Sequence, residues 1–190
     1  MEFRKTALEG VLVIEPDVFR DARGFFLETY HLERYRRGGL AEAFVQDNHS
    51  RSIHGTLRGL HAQLRRPQGK LVRAVAGEVF DLAADVRRGS PTFGRWHGEV
   101  LSADNFRQLY VPPGFVHGFY VLSENAEVEY KVTGFFDRDD EFVVAWDDPH
   151  LAIEWPLAGA PLLSERDAAA PRLADLAELP PYEPSPDQPR

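Results

Sequence analysis

The sequence has no cysteine, and no apolar run approaches the roughly 20 residues that a helix needs to cross a bilayer. The absence of cysteine excludes a disulfide framework and any metal site built from thiolates. The first five residues, Met1 to Lys5, lack the apolar core of a signal peptide. We therefore expect a cytoplasmic protein that has no membrane partner.

Positive charge is also scarce, since the net charge is −8 and no basic block interrupts the chain. Binding to a phosphate backbone needs a positive surface, so this balance argues against nucleic acid as a partner. It does not argue against an anionic small molecule, because a cleft can be locally cationic on an acidic protein. Lysine is the rarer cation, with Lys5, Lys70 and Lys131 as its only occurrences.

The composition is that of a globular protein, with 43% hydrophobic and 12% aromatic residues among 190. Short segments rich in Val, Phe, Tyr and Leu recur between Gly, Pro and Asp-Asn signals, which is typical of an all-β sandwich or barrel. The predicted strands are 11–14, 24–30, 44–46, 56–63, 70–75, 79–86, 94–101, 108–111, 117–122, 126–134 and 142–145. Only 31–37 and 164–170 are predicted to be helical. Within 79–86, the apolar residues 80, 82, 84 and 86 share one face, and Asp81 and Asp85 lie on the other.

We expect one domain over residues 1–172, followed by a proline-rich tail over 173–190. The last twenty residues contain six prolines, and little apolar pattern follows Leu179. Such a tail is expected to lie along the surface or to be disordered.

The segment 55–63, followed by Lys70, places a histidine, an arginine and a lysine among residues with a strand pattern. Histidine is the side chain whose unperturbed pKa suits proton transfer near neutral pH, so His61 is a candidate base. A hydrogen-bonded core histidine is the alternative interpretation. In a regular strand Arg58 and His61 would face opposite sides, and only a twist or bulge at Gly59 would bring both to one cavity.

The segment 112–118 has the pattern Pro-x-Gly-x-x-His, which matches the second metal-binding motif of cupin barrels. A cupin metal site also needs a His-x-His pair in its first motif, where this chain has His61 and Gln63. Val121 stands where the second motif would carry Asn. Three or four ligands are therefore hard to assemble, and the pattern predicts a cupin-type barrel without a metal.

Two further segments leave alternatives open. Tyr130 shares the parity of Val128 and Val132, so it is either a core residue or a proton donor that faces His61 across a cavity. The polar run 46–51 either ends a strand or lines a polar cavity.

Many motifs in register carry a resemblance to a known family. They are DARGFFLETY (21–30), FVQDNHSRS (44–52), LRGLHAQ (57–63), QGKLVRAVAGEVFDLAADVRRGSPTFG (68–94), LSADN (101–105), PPGFVHGFYVLSENAEVEYKVT (112–133), WDDP (146–149) and LSERDAAAP (163–171). Over residues 2–172 the chain resembles the dTDP-4-dehydrorhamnose 3,5-epimerase family. The resemblance implies a cupin-like jelly-roll β-barrel with a few short helices. It also implies a homodimer with exchanged N-terminal strands and no metal or redox cofactor.

The resemblance also implies roles for individual residues. His61 is similar to the proton acceptor of the family, and Asp167 to the carboxylate that orients it. Tyr130 is similar to the proton donor on the opposite face, and Lys70 to the cation that stabilises the enolate. The chemistry of an enolate leaves room for His117 as a second donor beside Lys70. The positions that match substrate contacts are Arg23, Glu28, Gln46, Asp47, Asn48, Arg58, Lys70, His117, Glu141 and Arg166.

The implied reaction converts a dTDP-4-dehydro-6-deoxy-D-glucose to dTDP-4-dehydro-L-rhamnose by moving protons on the carbons beside the ketone. Ala62 stands where the family usually has Tyr or Phe, and Val116 where Ala is usual, so the shape of the pocket is left open. The alternatives are an epimerase that inverts C3 alone, a non-catalytic barrel that binds a nucleotide sugar, and a metal-dependent cupin isomerase or oxygenase. Gln63 and Val121 disfavour the last of these.

Overall fold

A computed structural model describes residues 1–40 and 42–183. Its strands are β1 (Glu2–Lys5), β2 (Leu12–Glu15), β3 (Val18–Asp21), β4 (Gly24–Leu27), β5 (Gln46–Ile53), β6 (Leu57–Gln63), β7 (Lys70–Ala76), β8 (Glu78–Asp85), β9 (Trp96–Ser102), β10 (Gln108–Val111), β11 (Phe115–Val121), β12 (Asn125–Val132) and β13 (Glu141–Val143). The helices are α1 (Leu32–Arg37) and α2 (Glu165–Ala168), with one 3-10 turn over Leu173–Asp175. No described helix is long and apolar enough to span a membrane.

Two antiparallel sheets make up most of the fold. The six-stranded sheet has the order β1-β2-β10-β7-β12-β5, and the five-stranded sheet the order β13-β6-β11-β8-β9. Strands that are distant in sequence are neighbours in both sheets, as a jelly roll requires. The predicted all-β jelly-roll class with few short helices is confirmed.

The sheets enclose one apolar cluster and carry a second and a third on their outer faces. The inner cluster includes Val72 of the six-stranded sheet and Ala83 of the five-stranded sheet. Helix α1 covers the outer face of the first sheet through the fully buried Tyr35. Segments that follow β13 cover the outer face of the second sheet. Central strands are therefore buried on both faces.

Strand β8 shows what this double burial does to a sequence pattern. Leu82 and Ala84 face the outer cluster, as the alternation predicts. Asp81 and Asp85 lie on the other face and are completely buried, which requires a partner for each carboxylate. Asp85 accepts hydrogen bonds from Arg87 at 2.9 and 2.7 Å, and Asp81 pairs with a histidine described below.

Several strands differ from the predicted ones. The charged β1 and the short β3 carry no strong apolar alternation and were not predicted. The prediction of a strand over 44–46 was wrong in extent, because β5 begins at Gln46 and runs to Ile53, paired along its whole length with β12. The polar run 46–51 is thus a strand, and its polarity comes from a cavity on its inner face.

The C-terminal segment follows the surface as far as it is described. Leu173 is buried in the outer cluster, Pro181 forms a bridge to Arg88, and the Tyr182 hydroxyl donates to Glu9 at 2.8 Å. Residues 184–190 of the predicted tail lie outside the described residues. The boundary at residue 172 stays a prediction.

Strands β6 and β11, which are neighbours in the five-stranded sheet, come into close backbone contact at Gly59 and Gly118. Gly59 has φ of 127°, and a Cβ there would lie 2.6 Å from the Cα of Gly118. The register of β6 against β11 shifts at this point, between His117 and Phe119. Gly59 therefore permits the bulge that the sequence suggested.

We expect Gly59→Ala to lower the free energy of unfolding by about 4 kcal/mol or more, since both φ and the backbone contact oppose a side chain. Gly89→Ala is the matched control, because Gly89 also has a positive φ of 87° but meets no atom within 4 Å. Gly89→Ala should lower the free energy of unfolding by about 1–2 kcal/mol. Urea unfolding measures both values, and equal losses would contradict the contact argument.

Candidate active site

A cavity of about 720 Å³ opens between the two sheets, a size suited to a small-molecule ligand. Its walls come from both sheets and from the segment that leads into α2. It is lined by Gln46, Asn48, Ser50, Thr56, Leu57, Arg58, His61, Gln68, Lys70, His117, Phe119, Tyr130, Phe136, Glu141, Leu162, Leu163, Ser164, Arg166 and Asp167. All four predicted catalytic residues lie in this one cavity.

His61 on β6 and Asp167 on α2 form a dyad. Nε2 of His61 lies 2.7 Å from Oδ1 of Asp167, although 106 residues separate them. Ser164 caps α2 by accepting a bond from the Asp167 amide at 3.1 Å, which fixes the carboxylate toward the cavity. Burial raises the pKa of Asp167, but the bonds from His61 and Ser164 outweigh burial and hold that pKa below its usual range. The carboxylate is therefore ionised and can orient the ring.

Arg58 reaches the same cavity as His61 because of the shift in register at Gly59. Its Nε donates to the Ser52 hydroxyl at 3.0 Å, which holds the guanidinium against β5. The Nε edge of the guanidinium is thus bonded to the protein. The expectation that a bulge would bring Arg58 and His61 together is confirmed by this geometry.

Lys70, the first residue of β7, is 8% exposed and donates from Nζ to the His61 carbonyl at 3.1 Å. This contact joins the six-stranded sheet to the five-stranded sheet. Burial lowers the pKa of Lys70 to about 8, while Glu141 and Asp81 act to raise it. Lys70 is accordingly still protonated at neutral pH although its side chain is buried.

A second buried histidine pairs with a carboxylate on the same wall. Nε2 of His117 lies 2.9 Å from Oδ2 and 3.1 Å from Oδ1 of Asp81. Burial lowers the pKa of His117 even though Asp81 raises it. The ring is therefore neutral at pH 7, its Nε2–H donates to Asp81, and Nδ1 is left as an acceptor.

Tyr130 lies on β12, opposite the wall that carries His61. Burial, followed by the charge of Glu141, raises the pKa of the Tyr130 phenol. The hydroxyl therefore keeps its proton at neutral pH. At the rim, Arg166 and Glu141 form an ion pair that joins α2 to β13.

The alternation of β5 divides the predicted contact residues. Gln46 and Asn48 face the cavity, whereas Asp47 lies on the outer face and pairs with Lys131 at 2.9 Å. Asp47 thus does not line the cavity within this protomer.

Arg23 and Glu28 also lie away from the cavity. Arg23 occupies the exposed turn between β3 and β4 and pairs with Asp21 at 2.6 Å. Glu28 follows β4 and lies 3.3 Å from Arg34. Both were expected among the substrate contacts, and one protomer alone does not bring them to the cavity.

Some residues of the site were not predicted. Asp81 had a visible signal, a carboxylate flanked by apolar residues in a strand, but its partner is known only from the fold. Phe136 and Leu162 carry no signal, since exposed apolar residues on loops are common.

Gln63 occupies the position that a second histidine would take in a cupin metal motif, and both ends of its amide are bonded to protein. Gln63, in the place of the second histidine, donates to the Arg66 carbonyl at 2.9 Å and accepts from the Asp137 amide at 2.7 Å. Over residues 1–40 and 42–183, no three His, Asp or Glu side chains are grouped to hold a metal ion.

Comparison with known proteins gives one consistent result. A family model described as dTDP-4-dehydrorhamnose 3,5-epimerase matches residues 5–175. A dTDP-4-dehydrorhamnose 3,5-epimerase of Pseudomonas aeruginosa is 55% identical over 92% of this chain and 97% of its own length.

Solved structures agree with that match. A dTDP-6-deoxy-D-glucose-3,5-epimerase from Legionella pneumophila, in complex with dTDP-4-keto-L-rhamnose, is 48% identical with a TM-score of 0.93, covering 96% of this chain and 99% of that one. ChmJ, a 3'-monoepimerase from Streptomyces bikiniensis in complex with dTDP-quinovose, is 35% identical with a TM-score of 0.87, covering 93% and 92%.

The lowered pKa of Lys70 predicts a stability change when its charge is removed. Below pH 8 the folded state holds a buried ammonium whose pKa lies under the ordinary value of 10.5, so the unfolded state binds the proton more tightly. Lys70→Met should therefore raise the free energy of unfolding at pH 7 by about 3 kcal/mol, and the gain should shrink as the pH rises from 8 to 10.5.

Urea unfolding at pH 7 and pH 10 measures this effect. Lys5→Met, on the exposed edge strand β1, is the control and should change stability by less than about 0.5 kcal/mol. A loss of stability in Lys70→Met at pH 7 would contradict the burial argument.

Proposed function

This chain belongs to the dTDP-4-dehydrorhamnose 3,5-epimerase family, and we propose that it epimerises a dTDP-4-dehydro-6-deoxy-D-glucose on the carbons beside the ketone. The product would be dTDP-4-dehydro-L-rhamnose. The resemblance drawn from the sequence motifs is thereby confirmed at the level of the family.

One observation supports this function above the others. His61 and Tyr130 stand on facing sheets across one cavity, and Lys70 bridges the two walls. Inversion at a carbon beside a ketone requires proton removal from one face and proton delivery to the other. A cavity with a base and an acid on facing walls fits that requirement.

We assign proton removal to His61. The ionised Asp167 accepts the Nε2–H of the ring, which leaves Nδ1 as the basic nitrogen. After proton transfer, the same carboxylate stabilises the imidazolium. A positioned base of this kind contributes about 10²–10⁴-fold to the rate.

In this mechanism Lys70 stabilises the negative charge that develops on the enolate oxygen. Removal of the proton moves electrons to the ketone oxygen, and a buried ammonium stabilises that charge far better than water does, by about 3–4 kcal/mol. His117 is less suited to the second-donor role expected from the sequence. Its Nε2–H is taken by Asp81, so its free Nδ1 would accept a bond from a sugar hydroxyl.

Tyr130 would return the proton on the opposite face. Its raised pKa keeps the phenol protonated until the carbanion draws the proton away. The diphosphate would bind to guanidinium groups, whose fork matches phosphate oxygens. Arg58 and Arg166 are the arginines that line the cavity.

The two departures from the family pattern lie outside the cavity. Ala62 and Val116 both belong to the apolar cluster on the outer face of the five-stranded sheet. They therefore alter packing behind His61 and leave the surface that meets substrate unchanged.

The deciding experiment is incubation with dTDP-4-dehydro-6-deoxy-D-glucose in deuterated water, followed by NMR and mass spectrometry. Deuterium at C3 and C5 of the product supports double epimerisation, and deuterium at C3 alone supports the single reaction. If no deuterium enters the sugar and nucleotide binding is retained, the protein binds a nucleotide sugar without epimerising it. His61→Ala should lower exchange by about 10²-fold or more.

Tyr130→Phe separates the two half-reactions in the same assay. Proton loss should continue, and label should return to the starting configuration while product falls. Normal product from this variant would remove Tyr130 from the donor role.

We further propose a homodimer in which the β3–β4 hairpin of one protomer reaches the cavity of its partner. Phe19 and Phe26 face each other across this hairpin and are 64% and 69% exposed, and Phe25 on its opposite face is 57% exposed, which is unusual for large apolar side chains. Burial against a second copy would cover them. It would also carry Arg23 and Glu28, which lie far from their own cavity, toward the neighbouring one.

Complementation between two variants tests this exchange. The epimerase activity of the Arg23→Ala homodimer and that of the His61→Ala homodimer should each fall about 10-fold or more at subsaturating substrate. A heterodimer purified with two tags should recover close to half of wild-type activity. In it, the cavity that retains His61 receives an intact Arg23 from its partner. No gain over the two homodimers would contradict the exchange.

A further inference from the structure

Asp148 is a buried carboxylate that the proposed mechanism does not use. It belongs to the segment 146–149, which follows β13, and it is 2% exposed. It lies outside the lining of the cavity. A buried carboxylate is costly unless hydrogen bonds stabilise its charge, so the groups that bind Asp148 show what it holds in place.

The carboxylate of Asp148 binds backbone amides from two parts of the chain. Oδ1 accepts from the His150 amide at 2.8 Å and from the Leu151 amide at 3.1 Å, within its own turn. Oδ2 accepts from the Leu173 amide at 2.7 Å, across 25 residues. Hydrogen bonds to an ionised acceptor are about twice as strong as neutral ones. Asp148 therefore ties its turn to the segment that follows α2.

A second hydrogen bond runs beside this one and leads back to β6. The Ala145 amide donates to the Pro171 carbonyl at 2.9 Å. One residue before Ala145, Val144 exchanges two backbone bonds with Leu60, at 3.0 and 3.2 Å. Leu60 is the neighbour of His61 in β6. The segment after α2 is thus joined, through β13, to the strand that carries His61.

The segment before α2 is bonded to the beginning of the same strand. The Leu162 amide donates to the Gly55 carbonyl at 2.8 Å, and the Leu57 amide donates to the Leu162 carbonyl at 3.0 Å. Helix α2 has only four residues, and a helix so short has little stability of its own. Its place over β6 is therefore set by the bonds at its two ends.

We infer that Asp148 is a positioning residue for the dyad of His61 and Asp167. By binding the Leu173 amide it fixes the C-terminal end of α2, and so it keeps the two side chains of the dyad at 2.7 Å. The catalytic consequence rests on the proposed function. Because Asp148 does not border the cavity, its loss should affect turnover and leave substrate binding unchanged.

Asp148→Asn is the variant that removes this one bond. Its carbonyl oxygen can keep both amides of the local turn, which satisfies more donors than the flipped orientation would. The NH₂ group then faces the Leu173 amide, and two donors do not bond. The C-terminal end of α2 loses its buried contact while the volume of the side chain is kept.

The first measurement is the exchange with water of the His61 ring proton, followed by NMR on protein with ¹⁵N-labelled histidine. The resonance is identified by its loss in His61→Ala. In Asp148→Asn this proton should exchange about 10-fold faster, because its bond to Asp167 opens more often. The ring proton of His117, which is bonded to Asp81 within β11 and β8, is the internal control and should keep its rate.

The second measurement is a double-mutant cycle in kinetics, with kcat and KM taken from deuterium incorporation. Asp148→Asn should lower kcat about 10-fold and leave KM within about 2-fold. In Asp167→Ala the same substitution should lower kcat by less than about 2-fold, because the carboxylate through which Asp148 acts is gone.

Asp85→Asn is the matched control for loss of a buried carboxylate. Asp85 is completely buried and accepts bonds from Arg87, Ser90 and Thr92, away from α2. This variant should lower the melting temperature, with kcat and the exchange of the His61 proton unchanged.

A second pair of variants removes the same bond from the donor side. Leu173→Pro deletes the amide hydrogen, and Arg172 already has the ψ of 151° that a residue before proline prefers. Leu173 begins the 3-10 turn, where the φ of proline fits. Leu173→Ala loses the same buried side chain and keeps the amide. Only Leu173→Pro should reproduce the faster exchange and the lower kcat, and this pair decides the matter if Asp148→Asn does not fold.

Three results would overturn the inference. They are an unchanged His61 proton in Asp148→Asn and Leu173→Pro, equally faster exchange at His61 and His117, and an equal loss of kcat with and without Asp167. A wild-type protein that exchanges no deuterium into its substrate would overturn the proposed function alone. The NMR measurement would then still decide whether Asp148 holds Asp167 against His61.

Discussion

The site depends on one close backbone contact, between Gly59 of β6 and Gly118 of β11. This contact requires two residues without a Cβ, and it shifts the register of the two strands. The shift turns Arg58 and His61 toward the same cavity and sets the His61 carbonyl where Lys70 can bond it. A regular strand would send one of these two side chains to the outer face, and the proposed base and the anion-binding group would be separated.

Around this contact the fold places an unusual amount of buried charge. Lys70, Asp81 and Asp167 are each less than a tenth exposed, and every one has a charged or polar partner. Burial lowers the pKa of Lys70 and costs stability, which is the reverse of what packing alone would select. The same burial is what would make the ammonium effective beside a developing enolate, so the stability cost and the proposed catalytic role have one physical cause.

Hydrogen bonds hold several parts of the cavity wall in place. Ser164 caps the helix that carries Asp167, and Gln63 accepts a hydrogen bond from the Asp137 amide in the segment between β12 and β13. Each of these bonds satisfies a backbone group that would otherwise be unpaired near the cavity. The cavity can therefore stay open to a ligand while its walls keep their shape, because these hydrogen bonds persist beside a solvent-accessible cavity.

Local patterns and motifs in the sequence were sufficient for the all-β class, for most of the central strands, and for singling out His61, Lys70, Tyr130 and Asp167, which the fold brings to one cavity. Those features follow from alternation, from residue chemistry and from motifs, which are properties of short segments. The sequence could not show that the polar run 46–51 is a strand, because its inner face borders a cavity that only the second sheet encloses. Local pattern alone could not pair Asp167 with His61, which only the family resemblance suggested, and nothing in the sequence paired Asp81 with His117 or Gln63 with the Asp137 amide. These bonds join segments whose distance in space depends on how the two sheets pack.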